Sequence, residues 1–137
     1  MTENEIVERV IGCAIAVHKE LGPGLLESSY QACIYHEMLQ IGMKIEREKS
    51  LSLMYKGSTL DCGYRIDFLI EGKLIVEIKA VEALNDVHLA QVLTYLRLSD
   101  CRLGLLLNFN VVLMKNGIRR IAKQPLSILR VLSVLRV

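Results

Sequence analysis

The stretch YRIDFLIEGKLIVEIKA, residues 64–80, reads as two strands about a turn. Leu60 to Ile70 and Leu74 to Lys79 are rich in β-branched and aliphatic residues, and Glu71-Gly72-Lys73 between them carries turn chemistry. The apolar start of the second strand, Leu74-Ile75-Val76, predicts a buried, central place in a sheet. Glu77 and Lys79, two residues apart, share one face of that strand, while Val76 and Ile78 point to the other. A carboxylate and an ammonium on a central strand are costly to bury unless something pairs with them. Asp67 lies across the turn, and its face depends on the loop. A two-residue loop, Glu71-Gly72, sets Asp67 opposite Val76, on the wrong face, and Glu is a poor residue for the left-handed first position of such a turn. A three-residue loop, Ile70-Glu71-Gly72, instead pairs Leu69 with Lys73 and sets Asp67 opposite Ile75, on the face of Glu77 and Lys79. Two carboxylates converging at a strand pair make a hard oxygen site for Mg²⁺ or Mn²⁺, suited to polarising a phosphate and activating a water. Lys79 would orient that water and offset developing negative charge. The same spacing equally describes a surface ion pair of Glu77 with Lys79 beside an exposed Asp67.

Upstream, the hydrophobic period is helical. Residues 4–21 place Ile6, Val7, Val10, Ile11, Ala14, Val17 and Leu21 at three- and four-residue spacing, with Thr2 or Asn4 as N-cap. Gly22-Pro23-Gly24 ends this helix, and a second runs from about Leu26 to Ile41 with Gly42 as its stop. Its start, GLLESSY at 24–30, carries Glu27 and Tyr30, which on their own read as a carboxylate serving the helix dipole and a member of the core stripe. Ile45 and the Leu51-Leu53-Tyr55 alternation predict a strand, turned by Lys56-Gly57-Ser58 into the one at Leu60.

Downstream, Asn85 or Asp86 caps a helix through about Leu98, and Cys101 to Phe109 is an apolar run suited to a strand covered on both faces. Val111 to Met114 and Ile118 to Ala122, split by Lys115-Asn116-Gly117, predict a final hairpin. Helix, helix, three strands, helix and further strands make a mixed α/β (α+β) fold, a mixed sheet with helices packed on it. Residues 1–123 form one domain in this reading. The remainder, 124–137, is apolar except at 124, 127, 130, 133 and 136 and predicts a short helix docked on the body or on a second subunit.

Composition narrows the function classes. At 52% hydrophobic residues the chain is apolar for its 137 residues, which favours apolar surface buried between subunits of a homodimer, the C-terminal segment included. A net charge of +2 permits a polyanionic partner without arguing for one. Cys13, Cys33, Cys62 and Cys101 are widely separated and His18, His36 and His88 form no metal-spaced pair, so free thiols are favoured over zinc ligands or disulfides. No run reaches the roughly 20 apolar residues of a membrane span, and the start MTENEIVERV is acidic, so the expected location is cytoplasmic, without a membrane partner.

Asp67 followed by Glu77-Ile78-Lys79 resembles the core motif of the PD-(D/E)XK nuclease superfamily, and GLLESSY is similar to the motif naming its GxxExxY family. The likeness runs from about Ile6 to Ile121, through HLAQVLTYL and GLLLNFN. It implies a restriction-endonuclease-like fold and an Mg²⁺- or Mn²⁺-dependent nuclease hydrolysing phosphodiester bonds of DNA or RNA. Asp67 and Glu77 would be metal-binding acids, the Ile78 carbonyl would lie near the metal, and Lys79 would be the catalytic lysine. Glu27 would complete or support the metal site, and Gly24 would be small so that its helix begins close to the sheet. Ile66 stands where the motif's nominal proline would be. Gln91 and Tyr95 match a Gln-x-x-x-Tyr element of RecB-like nucleases that positions phosphate or the lysine. His88 shares their helix face, and with Tyr30, one turn past Glu27, completes the candidates on the substrate side. On residues alone, Tyr95 is a half-buried core aromatic and Gln91 a solvated side chain. Lys44, Arg47, Lys49, Arg65 and Arg102 are the basic side chains available to a nucleic-acid backbone. The alternative is a nucleic-acid-binding or protein-interaction module that keeps the nuclease fold without turnover.

Overall fold

In the computed structural model, which describes residues 1–123, two helices precede the sheet: α1 (Glu3–Leu21) and α2 (Glu27–Gln40). α1 starts on a capping box, in which the Thr2 hydroxyl accepts the Glu5 N–H and the Glu5 carboxylate accepts the Thr2 N–H. Such a cap contributes about 1 kcal/mol. α2 has no side-chain cap and is anchored by Tyr30 instead. The Tyr30 hydroxyl donates to the Gly22 carbonyl at 2.5 Å and accepts the Leu25 N–H at 3.1 Å, while its ring stacks on Phe109 at 4.6 Å. Both helix-connecting residues that it grips are thereby tied to the core. Tyr30 is fully buried with its hydroxyl committed, which removes it from the substrate side and makes it a clamp. Gly24 is also explained differently from the expectation. A Cβ there would meet open space, so its φ of +101°, not a close approach, is what favours glycine.

Five strands follow: β1 (Ile45–Tyr55), β2 (Ser58–Ile70), β3 (Leu74–Lys79), β4 (Leu103–Asn108) and β5 (Ile118–Ala122), adjacent in that order. Only β3 and β4 are parallel, joined through α3 (Asp86–Ser99). Alternation of side chains along these strands builds two cores. Phe68, Ile70, Val76, Ile78, Leu105 and Leu107 pack against α1 and α2, whereas Leu69, Ile75 and Leu106 pack against Val92 and Leu96 of α3.

One turn, one register and one hairpin differ from expectation. Tyr55 pairs with Ser58, so the β1–β2 loop is Lys56-Gly57 alone, both at positive φ. Ile70 pairs with Leu74, so the β2–β3 loop is Glu71-Gly72-Lys73, and the pairing of Leu69 with Lys73 does not form. Glu71 does take the left-handed conformation, φ +53°, followed by Gly72 at +65°. Its N–H bonds the Lys44 carbonyl at 2.8 Å and Lys73 N–H bonds Ile70 at 3.0 Å. These bonds offset a local penalty of roughly 1–2 kcal/mol. Residues 111–114 are not a strand, because β5 pairs directly with β4, starting at Leu107–Ile118. The connection instead folds into a short 3-10 turn, Met114–Gly117, and its Val111 carbonyl accepts a hydrogen bond from His18 Nε2 at 2.7 Å. The C-terminal helix expected within 124–137 lies outside the described residues.

Candidate active site

The β2–β3 ladder covers only Phe68–Ile70 against Leu74–Val76, and one step further the register sets Asp67 across from Glu77. There the strands part and two carboxylates replace the ladder. The Asp67 N–H donates to Glu77 Oε1 at 2.9 Å, and the Ile78 N–H donates to Asp67 Oδ2 at 2.7 Å. Each acid is thus held by the other's strand. Parity is that of the expected three-residue loop, since moving the loop by one residue shifts the pairing by two and leaves the faces unchanged.

Burial governs the electrostatics. Glu77 is 5% exposed, and its pKa is pushed up to about 8, first by desolvation and then by the charge of Asp67. The Asp67 N–H and the Lys79 ammonium act against that rise. Asp67 is raised too, chiefly by burial, with Ile78 N–H and Gln31 opposing and the charges of Glu48 and Glu27 adding. The acids therefore share too little solvation to be ionised together comfortably without a cation.

Further elements close around this pair. From α2, Glu27 lines an open cleft of about 450 Å³ with Leu26, Ser28, Gln31, Glu48 and Asp67. Gln31 Nε2 donates to Asp67 Oδ1 at 2.9 Å and to Glu48 Oε1 at 2.7 Å. From α3, Tyr95 is nearly buried and its hydroxyl is held in the neutral form by burial and by the charges of Glu77 and Asp67, with Gln91 hydrogen bonding in the opposite sense. Gln91 itself is exposed. His88 uses Nδ1 to accept the Asn85 N–H at 3.1 Å, completing the α3 capping box, so half of its ring is committed to the helix start. At the ends of the parallel strands, buried Asn108 lies beside Lys79 in register and brackets Val81, accepting its N–H at 3.0 Å and donating to its carbonyl at 2.9 Å. That bracket fixes the exit of β3.

The donor set suits a hard divalent cation. Asp67 and Glu77 offer carboxylate oxygens, Ile78 a backbone carbonyl between Glu77 and Lys79, and Glu77 Oε2 takes no partner among the described residues. No group of three or more His, Cys, Asp or Glu side chains among the described residues gathers closely enough to ligate one ion, so Glu27 faces the cleft without joining Asp67 and Glu77 as a direct third ligand in this conformation.

Of the basic candidates, Arg47 is engaged by Gln31 and by the ring of Tyr35, and Lys49 pairs with Glu46 at 2.8 Å. Arg102 sits at the start of β4, the end away from Lys79 and Asn108. Lys44 and Arg65 remain exposed.

Gln31, Glu48 and Asn108 are site residues that sequence reasoning missed. Gln31 carried a signal, being four residues past Glu27 and so on its helix face. Asn108 carried one as a lone amide in an apolar run. Glu48 carried none, because its place depends on register and on a left-handed φ of +54°.

A mixed five-stranded sheet covered by helices on both faces, with paired acids and a lysine where central strands part, defines a restriction-endonuclease-like fold. The family model described as the PD-(D/E)XK nuclease superfamily matches residues 4–121, and the chain belongs to that superfamily. No curated protein and no solved structure matches the chain. Among the described residues, no helix is long and apolar enough to cross a membrane.

Proposed function

We propose that the protein is a divalent-metal-dependent nuclease of the GxxExxY type that hydrolyses phosphodiester bonds in DNA or RNA. The observation that carries this reading is the reciprocal hold on Asp67 and Glu77, each carboxylate fixed by the other strand's N–H, with Lys79 two residues further on the same face. Mg²⁺ or Mn²⁺ bound there would supply Lewis-acid polarisation of the phosphate and a more acidic water. The chain's own residues do the rest. Asp67 and Glu77, with the Ile78 carbonyl, present oxygens in a preset geometry, and Lys79 orients the attacking water and balances charge that grows on the phosphate. Tyr95 and Gln91 hold a phosphate or the lysine from the α3 side, and Glu27 supports the site from the α2 side, through water or substrate rather than by direct ligation.

Purified protein incubated with single- and double-stranded DNA and RNA, with Mg²⁺ or Mn²⁺, is expected to cleave at least one of them. Asp67→Ala and Lys79→Ala proteins are expected to lose at least about a hundredfold in rate. Cleavage that survives in both variants sinks the reading. A second reading, binding without turnover, is favoured by the lack of a third acidic ligand beside Asp67 and Glu77 among the described residues. Wild-type protein that shifts nucleic acid in a gel yet takes up no divalent ion by calorimetry would establish it.

A further inference from the structure

Gln31 is joined at every polar position. Its Nε2 donates both hydrogens to carboxylates, Asp67 Oδ1 at 2.9 Å and Glu48 Oε1 at 2.7 Å. Its Oε1 accepts two hydrogen bonds from one guanidinium, Arg47 Nε at 3.2 Å and Nη2 at 3.1 Å. The reverse amide orientation would aim oxygen at two carboxylates and NH₂ at a cation, so charge alone fixes which way the amide points. Arg47 is fixed in turn, its guanidinium 4.8 Å from the centroid of the Tyr35 ring, and that ring stacks on Phe68 at 5.9 Å. Phe68 is buried and adjoins Asp67 in the chain. The contacts therefore form a closed circuit from Asp67 through Gln31, Arg47, Tyr35 and Phe68 back to Asp67.

The circuit determines the plane of the Asp67 carboxylate. Oδ2 is held by the Ile78 N–H and Oδ1 by Gln31, so the carboxylate is fixed at both oxygens while each keeps acceptor capacity for a cation. An arginine or lysine in direct contact with Asp67 would hold it equally well but would occupy it as a counter-ion and compete with a metal. An amide placed between them passes on orientation and keeps the cation away from the acid.

We infer that Gln31, locked by Arg47, is a positioning residue that presets Asp67 to receive a divalent cation without neutralising it. The inference rests on the metal-dependent reading above and concerns a step that precedes turnover, so its test is metal binding. Mn²⁺ dissociation constants of the full-length protein, from the loss of the free-ion paramagnetic resonance signal, are expected to rise about tenfold in Gln31→Ala and in Gln31→Met, the second keeping the side chain's bulk. Arg47→Ala is expected to weaken binding several-fold in the wild-type background and by less than twofold in the Gln31→Ala background. That non-additivity is what separates action through Gln31 from a general loosening of the fold. Gln31→Lys is expected to bind most weakly of all. Wild type that binds Mn²⁺ dependent on Asp67, with Gln31→Ala and Gln31→Met within twofold of it, overturns this inference and leaves the metal reading intact. Additive effects of the Gln31 and Arg47 substitutions overturn the relay. Wild type that binds no Mn²⁺ overturns the metal reading itself.

Discussion

A proton and a divalent ion compete for Glu77. With its pKa pushed up to about 8 from an ordinary 4.5, the folded chain keeps a proton there that the unfolded chain has already released. Between those two values the folded state binds more protons, so in the absence of divalent ions stability falls as pH rises through about 4.5 to 8 and levels off above. Asp67, shifted in the same direction, adds to the trend. Melting temperatures in chelator are expected to decline from pH 5 to pH 8. Glu77→Gln should remove most of the decline and melt several degrees above wild type at pH 8, roughly 3–5 °C for each kcal/mol recovered. A glutamine keeps the acceptor for the Asp67 N–H, because only one oxygen of Glu77 is engaged. Asp67→Asn lacks this freedom, since both Asp67 oxygens accept hydrogen bonds and an NH₂ group would confront either Gln31 Nε2 or the Ile78 N–H. It should destabilise where Glu77→Gln stabilises. Metal must displace the Glu77 proton, so Mn²⁺ affinity measured calorimetrically should fall by about tenfold per pH unit below pH 8 and plateau above. A flat profile would mean that no proton leaves Glu77 on metal binding.

At the scale of elements, the position of α3 decides whether Tyr95 and Gln91 reach the acids, and Gly104 on β4 sets that position. A Cβ at 104 would lie 2.8 Å from Val92 Cγ1 and 3.5 Å from Leu96 Cδ2, both on the buried face of α3. Gly104→Ala should lift the helix, cost about 1–3 kcal/mol and lower the melting temperature by about 3–15 °C. Asn108→Ala breaks the bracket around Val81 and leaves buried backbone groups without partners, at a cost of about 1–3 kcal/mol, read in the same melts. These elements were legible in sequence to different depths. α1 declared itself by period and by the cap candidate Thr2, and α3 by Asn85, because both signals are local. The shared face of Glu77 and Lys79 was legible from alternation, and that of Asp67 from alternation together with the three-residue length of the loop. The register was not, because the left-handed Glu71 is held by a hydrogen bond to the Lys44 carbonyl, which lies just before β1 and is distant in sequence. The supposed hairpin at 111–114 failed for a similar reason: β5 finds its partner in β4, a choice that local pattern does not express.

For the whole molecule, the parallel pair β3–β4 is the axis on which the rest is hung. Its strands end together at Lys79 and Asn108, where helices from both faces meet the acid pair, as expected where a connection crosses a sheet. Among the described residues, both cores are built from residues between Ile6 and Ile121, and the superfamily match spans 4–121. β5 is fastened at its end, with the Lys123 N–H bonded to Arg102 at 2.8 Å and Lys123 Nζ 2.8 Å from Asp100. Residues 124–137 lie beyond the superfamily match and are too apolar to stand alone in water. We propose from this composition, and from the end of the superfamily match at 121, that the segment mediates self-association and adds little to the domain. A chain ending at Lys123 should melt within about 3 °C of the full chain, a change of roughly 1 kcal/mol or less, and keep its Mn²⁺ affinity. In sedimentation the full chain should form dimers and the shortened chain should run as a monomer. A drop of more than about 10 °C would instead make the segment part of the domain's own core, since a loss of several kcal/mol is what removing a docked apolar helix costs. Equal sedimentation of the two chains would remove the segment from any interface and leave the apolar composition to be explained by the interior alone.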